Sequence, residues 1–528
     1  MTARICQQVF EQYQKARIQF IQSVSDLAVK SYNVESLIKF GILEIISPLI
    51  NDIVPTISQT ALMTLGRLAG HDERIAQLIL KKDVLSCIVK NFKKQNKFYK
   101  KAALFLLRSI AKHSSELSTI VINEDGLIAI MFGLEDFDSG VKESAAWAIG
   151  YIARHNKNLA QTVVDAGAVP LLVLCLQDPD LCLKQISTSA LSDIGKHTTE
   201  LAQSVIDSGT ISILAKTFSI SDAKLKRQVF TLLGNIAKHT VEFSELVVET
   251  EVFSSCLIHM SHPDENVVKA AATLTREVCK HTIELAEMIV NAGGIAALIE
   301  LIGTTKSARV PAIMALGYIA GYSDQLALAV IDSQGIIQLA NILSEITDDH
   351  VTAVTIWTIG QIGKHTPHHS RLVAEALIFP KLLTIYMNPK SSEDLKTKCQ
   401  MTFKQVLQKC TYFEALESLL KNAPQEIVKY VIGQFSKILP NDTRARRLFV
   451  TSGGLKKVQE IRVEPDSTLS EYITIINCCY PEELVRFYSP GYQDSLLDAV
   501  EQYQPRCEPL QNIVKPSKST DTNILAPI

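Results

Sequence analysis

Histidines recur at a regular spacing in this 528-residue sequence and are the first candidates for chemistry. Six of them follow one another at 42-residue intervals, and after Tyr322 takes the next place the series returns to histidine. A row of imidazoles could bind metal ions or exchange protons near neutral pH. Histidines one repeat apart are too distant to share an ion at ligand distances of about 2 Å, so we predict a structural role at helix ends, where imidazole can hydrogen-bond the last carbonyl groups. We call this series of positions the lattice and each of its positions a mark. The marks are His71, His113, His155, His197, His239, His281, Tyr322 and His365.

A local histidine cluster is the other metal candidate. His365, His368 and His369 are three and four residues apart, which could place them on one helical face, but no carboxylate or cysteine pattern accompanies them. The 11 cysteines form no Cys-x-x-Cys pair, and no phosphate loop, nucleophile elbow or paired-carboxylate motif is present. The sequence therefore predicts no catalytic residue, no metal and no cofactor, and a protein that is not an enzyme.

The neighbours of each mark predict helices. Residues three and six before a mark are nearly all apolar and the residue two before it is small, so these positions form one buried helical face. Every residue just after a mark is of a preferred N-cap type, which predicts that a second helix begins there. Glycine at 41, 126, 167, 209, 293 or 335 predicts where this helix stops and a third begins. The predicted N-cap residues are Asp72, Ser114, Asn156, Thr198, Thr240, Thr282, Ser323 and Thr366.

The repeating unit of three helices cannot bury its apolar face alone, so successive units must stack into a solenoid. We predict an all-α superhelical solenoid of about ten repeats, each of about 42 residues. Residues 1–32 are expected to form an N-terminal helical cap, 33–365 eight regular repeats, 366–503 degenerate repeats with a C-terminal helical cap, and 504–528 a disordered tail.

Composition limits the classes of partner. The formal net charge of −2 argues against nucleic-acid binding, and no apolar run approaches the roughly 20 residues of a membrane helix. The first residues show no secretory signal. We therefore expect a cytoplasmic or nuclear protein with reduced cysteines that binds neither nucleic acid nor a membrane.

The repeat resembles the armadillo repeat, as in the helix stop DAGAVPLL at residues 165–172 and the long helix over 141–155. In that family the long third helix lines a concave groove. Nuclear-import members carry tryptophan and asparagine eight and four residues before the mark, and that paired ladder is missing here, which excludes the import function. The groove positions offered as partner-binding candidates are Arg67, Phe105, Trp147, Tyr151, Asp193, Asn235, Glu277, Tyr318, Trp357 and Gln361.

A closer resemblance is to the armadillo proteins of the ciliary and flagellar central apparatus, the sperm-associated antigen six type. It is carried by VFEQYQKAR at residues 9–17, by residues 160–176, and by FVTSGGLKKVQEI, YPEE and YSPGY at 449–461, 480–483 and 488–492, and it covers residues from about 5 to 503. The resemblance implies a non-enzymatic scaffold of the axonemal central pair that binds tubulin and other central-apparatus proteins and is required for motility. Self-association into arrays is a further expectation. The alternative function is a soluble cytosolic adaptor that binds an extended peptide in the groove.

Charge is concentrated in residues 81–108, which hold nine basic residues and one acid, Asp83. Such a run is commonly a solvated face. The alternative is an electrostatic contact with an acidic polymer, which the tubulin tails implied by the resemblance would supply, and which salt would weaken. The candidate residues of this basic patch are Lys90, Lys93, Lys94, Lys97, Lys100 and Lys101.

Overall fold

The computed structural model describes residues 2–345, 348–462, 464 and 467–504, and every regular element in these ranges is a helix. Of the tail predicted over 504–528, residues 505–528 lie outside them. The chain divides into two compact units, Met1–Lys409 and Cys410–Ile528. The division falls 44 residues after His365, because a further three-helix repeat continues the first unit beyond that mark.

A long helix ends two residues before each of the seven histidine marks and at Tyr322 itself, and the long helices of consecutive repeats pack against one another. We number the repeats 1 to 8 by the mark that closes them, His71 to His365. The face made of the apolar and small positions before each mark is buried, as predicted: Leu191, Ile194 and Gly195 in repeat 4 are examples. The long helices are Pro55–Ala69, Lys97–Ala111, Ser139–Ala153, Leu181–Gly195, Ala223–Ala237, Glu265–Cys279, Arg309–Tyr322 and Asp349–Gly363.

The first short helix of each repeat begins directly after the preceding mark. In all eight predicted cases the side chain of the N-cap residue accepts a hydrogen bond from a backbone N–H two or three residues later, which satisfies a donor that the helix itself leaves free. The first short helices are Ser31–Lys39, Glu73–Leu80, Ser115–Asn123, Lys157–Asp165, Thr199–Asp207, Val241–Val248, Ile283–Asn291 and Asp324–Asp332.

In seven of the eight repeats the turn into the second short helix uses a residue with positive φ; repeat 6, with Thr250 at φ −79°, is the exception. Two of the predicted stops are wrong by one residue. The left-handed residues are Asp125 and Gln334, and the glycines that follow them open the next helix. Gly126 is required for another reason: a Cβ there would lie 2.6 Å from the carbonyl oxygen of Val121. The second short helices are Ile42–Ile46, Val84–Asn91, Gly126–Leu134, Ala168–Cys175, Thr210–Thr217, Glu251–Ser254, Gly294–Thr304 and Gly335–Ile342, and the 3₁₀ turns are Ser47–Asn51, Phe92–Lys94, Ile258–Ser261 and Lys306–Ala308.

The first unit has additional helices at both ends. Helix Thr2–Leu27 packs on the long helix of repeat 1, where a preceding repeat would place its own long helix. After His365, Pro367–Glu375, Ile378–Met387 and Glu393–Leu407 form a ninth repeat, whose long helix packs on that of repeat 8. No single helix in the described ranges is both long and apolar enough to cross a membrane.

The second unit repeats the motif in shortened form. Its buried core includes Phe435 and Phe449, whose ring centroids are 4.6 Å apart, and Gly453 supplies the positive-φ turn before Gly454–Gln459. Its helices are Phe413–Asn422, Gln425–Ile438, Thr443–Thr451, Gly454–Gln459, Thr468–Asn477, Glu482–Tyr488 and Tyr492–Gln502.

Candidate functional site

Each lattice histidine joins its repeat to the one before it. In the six histidines after His71, the Nε2 atom lies at hydrogen-bond distance from a backbone carbonyl oxygen two residues before the preceding mark, near the C-terminus of the neighbouring long helix; the acceptor of His71 is Ala28, just after the N-terminal helix. His197 contacts the carbonyl oxygen of Ala153 at 2.7 Å, and His239 that of Gly195 at 2.8 Å. The predicted structural role at a helix end therefore holds, with the carbonyl supplied by the preceding repeat. The remaining pairs are His71–Ala28, His113–Ala69, His155–Ala111, His281–Ala237 and His365–Ala320, at 2.6 to 3.0 Å.

The surroundings of four of these histidines favour the neutral ring. Burial lowers the pKa of His197, His239, His281 and His365, and the bond to the carbonyl oxygen opposes this shift only in part. A neutral ring with its proton on Nε2 can donate to the carbonyl oxygen. The helix ends are therefore joined without placing a buried charge between repeats.

We expect the melting temperature of the chain to fall when the pH is lowered from about 7.5 to about 5.5. Because the pKa of these four histidines is lower folded than the unfolded value of 6.5, the unfolded chain binds protons first. Their stabilisation is complete above the unfolded pKa and is lost as the pH falls through the folded pKa. Circular-dichroism melts check this. His197→Gln with His239→Gln retains an N–H donor and should reduce the pH dependence; equal melting temperatures of the wild type at both pH values would contradict the assignment.

The metal candidate cluster uses its ring nitrogens for other bonds. His365 Nε2 contacts Ala320, and His369 contacts the carbonyl oxygen of Asp324 at 2.9 Å and the hydroxyl of Thr366 at 2.7 Å. Among the residues that the structure describes, no three His, Cys, Asp or Glu side chains are grouped as metal ligands.

The basic run of residues 81–108 does not form one surface. Lys100 pairs with Asp136 at 2.8 Å, and Lys97 and Lys101 pair with Asp138 at 3.2 and 2.8 Å. These aspartates precede the long helix of repeat 3, and the two lysines hold the pKa of Asp138 near 2, against the opposing effect of burial. Half of the six predicted patch residues are thus engaged between repeats.

The other basic residues of the run do not form one surface either. The Nζ atom of Lys93 lies 3.6 Å from the centroid of the Phe132 ring. Lys90 and Lys94 are exposed and, in the described part of the chain, have no ion-pair partner within 4.0 Å, and the same holds for Lys81. Arg108 lies on the long helix of repeat 2, apart from these. In the described part of the chain, the basic residues of the run that are exposed and have no ion pair are therefore Lys81, just outside the basic patch, and Lys90, Lys93 and Lys94 within it; Lys93 lies against the Phe132 ring, so Lys81, Lys90 and Lys94 are the most accessible to an acidic partner.

The long helices share one partly exposed face. After Pro55 at its start, the long helix of repeat 1 is accessible at residues 56, 59, 60, 63 and 67, followed by 70 just past its end, and this spacing follows one side of the helix. We call the residues eight, five, four and one before each mark the groove face. All ten predicted groove residues lie on it; nine are partly exposed and Glu277 is 8% exposed.

The groove face of repeats 2 and 3 carries a column of three aromatic rings and two arginines. The guanidinium of Arg108 lies 5.1 Å from the ring centroid of Phe105 and 5.0 Å from that of Trp147. Trp147 stacks on Tyr151 with centroids 5.7 Å apart, and the guanidinium of Arg154 lies 5.1 Å from the Tyr151 ring. Cation–π contact stabilises such an arrangement and holds both arginines in place.

The middle of the groove face is polar. Asp193 pairs with Lys196 at 2.7 Å, and the amide of Asn235 donates to the hydroxyl of Ser192 at 2.8 Å. Burial alone would raise the pKa of Glu277, but hydrogen bonds from Lys280 and Arg276 hold it below its usual value. Both acids of this surface are therefore neutralised by their own neighbours.

A second aromatic cluster lies on repeats 7 and 8. The rings of Tyr318 and Trp357 meet edge to face with centroids 5.2 Å apart, beside an open pocket that Met314 also lines. Gln361 accepts a hydrogen bond from Lys364 at 2.6 Å. At the other end, Arg67 is engaged by the N-terminal helix, since it donates to the carbonyl oxygen of Ser25 at 2.6 Å.

Sequence reasoning missed two rows of the groove face. The residue five before a mark lies under the residue eight before the next: Gly66 leaves room for Phe105, while Arg108 stacks on Trp147. The residue one before a mark is basic in six repeats, and its side chain reaches the preceding helix end in three of them, as Lys280 does to the carbonyl oxygen of Lys238 at 2.9 Å. Both rows can be found by comparing the residues five and one before successive marks. The basic row is Lys112, Arg154, Lys196, Lys238, Lys280 and Lys364.

One comparison with a solved structure agrees with this architecture. No family model matches the chain. A crystal structure of an engineered protein from the Northeast Structural Genomics Consortium covers 84% of this chain and 98% of its own with a TM-score of 0.63 and 21% identity, which shows the fold alone. A designed armadillo repeat protein covers 45% of this chain and 99% of its own, with a TM-score of 0.42 and 20% identity.

A segment of the sequence is much more similar to two curated proteins. Sperm-associated antigen 6 of Mus musculus and of Homo sapiens are each 60% identical to it over 168 residues, which is 32% of this chain and 33% of theirs. The match thus spans about a third of the relatives' length, and a shorter part of this chain than the resemblance predicted. Over that third of its length, this chain of three-helix repeats is thus similar to sperm-associated antigen 6.

Proposed function

We propose that the chain is a non-enzymatic scaffold of the axonemal central-pair apparatus, which binds microtubules and other central-apparatus proteins and supports ciliary and flagellar motility. The observation that carries the proposal is the 60% identity over 168 residues to proteins named for their association with sperm. The stacked repeats support it physically, because a solenoid presents a long continuous surface on which several partners can assemble.

Direct contact with tubulin is the part of this proposal that a biochemical experiment can isolate. We expect the purified chain to co-sediment with microtubules at low salt and to be released as salt rises, since exposed charges are screened. Lys81→Glu with Lys90→Glu and Lys94→Glu should reduce the pelleted fraction about tenfold, because like charges would then face the acidic tubulin tails. Lys97, Lys100 and Lys101 are left intact, since their ion pairs join repeats 2 and 3.

The matched control changes three exposed lysines elsewhere, Lys157, Lys216 and Lys224, to glutamate. It alters the net charge equally and should pellet much more than the patch variant does. Equal pelleting of the two variants would exclude the patch as the contact. The cellular part of the proposal is checked by imaging the tagged chain in ciliated cells, where a signal between the two central microtubules is expected and a diffuse cytoplasmic signal would contradict it.

The second candidate function is an adaptor that binds an extended peptide on the groove face. It is favoured by the column formed by Phe105, Arg108, Trp147, Tyr151 and Arg154, where aromatic surface and arginine donors remain accessible. Such residues often dominate binding energy at interfaces. Diffuse localisation in cells without cilia, with capture of a peptide that depends on these residues, would support the adaptor over the scaffold.

A further inference from the structure

We infer that the column on repeats 2 and 3 is a binding site for a carboxylate-rich extended peptide, whose acidic side chains pair with Arg108 and Arg154 while its backbone crosses the stacked rings of Trp147 and Tyr151. This deepens the adaptor function above, because it names the class of ligand and the residues that select it.

The first support is that two arginines of the column have no carboxylate partner in the described part of the chain. Arg108 is half-buried between Phe105 and Trp147, and burial lowers its pKa. In the described chain neither Arg108 nor Arg154 has a carboxylate within 4.0 Å. A guanidinium carries five N–H donors in a planar fork that fits a carboxylate. Two guanidinium groups held by rings, with their donors available, are arranged to receive an anion from outside.

Nearby acids do not provide that anion. Asp193 lines the same pocket as Trp147 and Arg154, but it pairs with Lys196. Glu143 lies one helical turn before Trp147, near enough to interact with Arg108 across space but beyond ion-pair distance. The local field therefore remains positive at the open side of the rings.

Charge complementarity along the whole groove face selects the same kind of ligand. Over eight repeats the groove face holds nine basic residues and two acids, and both acids are paired with lysines of their own helix. The chain as a whole has a formal net charge of −2, so this surface is not a reflection of overall composition. The groove face has more basic than acidic residues in every repeat except 4 and 7, and this excess disfavours a basic ligand and favours an acidic one.

Repeat spacing suits an extended chain. Packed helices lie roughly 8–10 Å apart, and an extended peptide advances about 3.3 Å per residue, so about three residues span one repeat. The basic row one residue before each mark places one cation in each of six repeats, from Lys112 to Lys364. A run of consecutive glutamates presents a carboxylate to every repeat in any register.

The test measures binding of fluorescein-labelled decaglutamate to the full purified chain by fluorescence anisotropy at low salt, with decalysine as the opposite-charge probe. We expect decaglutamate to bind, decalysine not to bind, and affinity to fall steeply with salt. Arg108→Gln with Arg154→Gln should weaken decaglutamate binding by about tenfold or more, since both paired donors are lost. Lys90→Gln with Lys94→Gln removes the same charge from the basic patch and should change affinity by less than about twofold.

Two further measurements separate binding from folding. Arg108→Lys with Arg154→Lys keeps the charge but not the planar fork, and should bind more weakly than wild type while melting at the same temperature. In a Trp357→Phe background Trp147 is the remaining tryptophan, and its emission should change on adding decaglutamate. Wild-type affinity in the Arg108→Gln, Arg154→Gln chain, or a larger loss in the Lys90→Gln, Lys94→Gln chain, would overturn the inference. Because this binding assay contains no microtubules, its failure would not count against the scaffold proposal.

Discussion

Replacing Leu191 by aspartate is expected to lower the free energy of unfolding by at least about 4 kcal/mol, because it removes a buried side chain and places an unpaired carboxylate in its site. Leu191 has 0% exposure on the long helix of repeat 4, which packs between the long helices of repeats 3 and 5. Urea denaturation followed by circular dichroism measures the loss. Hydrogen exchange should show the earliest opening in repeats 3 to 5, since each repeat of a solenoid is stabilised by its neighbours.

The matched control is Leu174→Asp, in the same repeat. Leu174 is 61% exposed, so its aspartate stays in water and should cost less than about 1 kcal/mol. Similar losses in the two variants would mean that the shared face between long helices is assigned wrongly.

Gly317→Ala is expected to destabilise the chain by about 1–3 kcal/mol, although alanine normally favours a helix over glycine. A Cβ at Gly317 would collide with the ring of Trp357 and lie 2.7 Å from Oγ1 of Thr358, which donates to the carbonyl oxygen of Ile313 at 3.0 Å. Neither neighbour can move without disturbing the packing of repeats 7 and 8. Thermal melts measure the loss, and a shift of the Trp357 emission should accompany it.

Gly150 offers the control, since it also stands five residues before a mark. Its nearest neighbour would be the Cα atom of Ala190 at 3.5 Å, an ordinary contact, so Gly150→Ala should be neutral or stabilise by up to about 1 kcal/mol. A stabilising effect at both positions would contradict the role given to Gly317 beneath Trp357.

The regular features of the fold were predictable because they depend on neighbours in sequence. N-cap chemistry at Thr198 and the buried helical face at Leu191 follow from residues within one or two turns. The left-handed residue Asp125 was not predicted, since the adjacent Gly126 also fits a helix stop and only the clash with Val121 shows which position needs glycine.

The candidate site was predictable only in part. Spacing from the marks placed Trp147 and Tyr151 on the groove face, but the arginines that complete their column belong to rows that the import-type pattern does not use. Partners between repeats could not be read from the sequence, because the contact between Lys100 and Asp136 joins residues 36 apart whose distance depends on how the repeats stack. For the same reason, the sequence alone indicated one basic surface at residues 81–108.

The bonds from the lattice histidines all point one way along the chain. The imidazole belongs to the later repeat and its acceptor to the earlier one, beginning with His71, whose acceptor is the carbonyl oxygen of Ala28 at the end of the N-terminal helix. During synthesis on a ribosome, every such acceptor therefore emerges before the histidine that needs it. The order of acceptor and histidine thus allows these bonds to form one repeat at a time, starting from the N-terminal end.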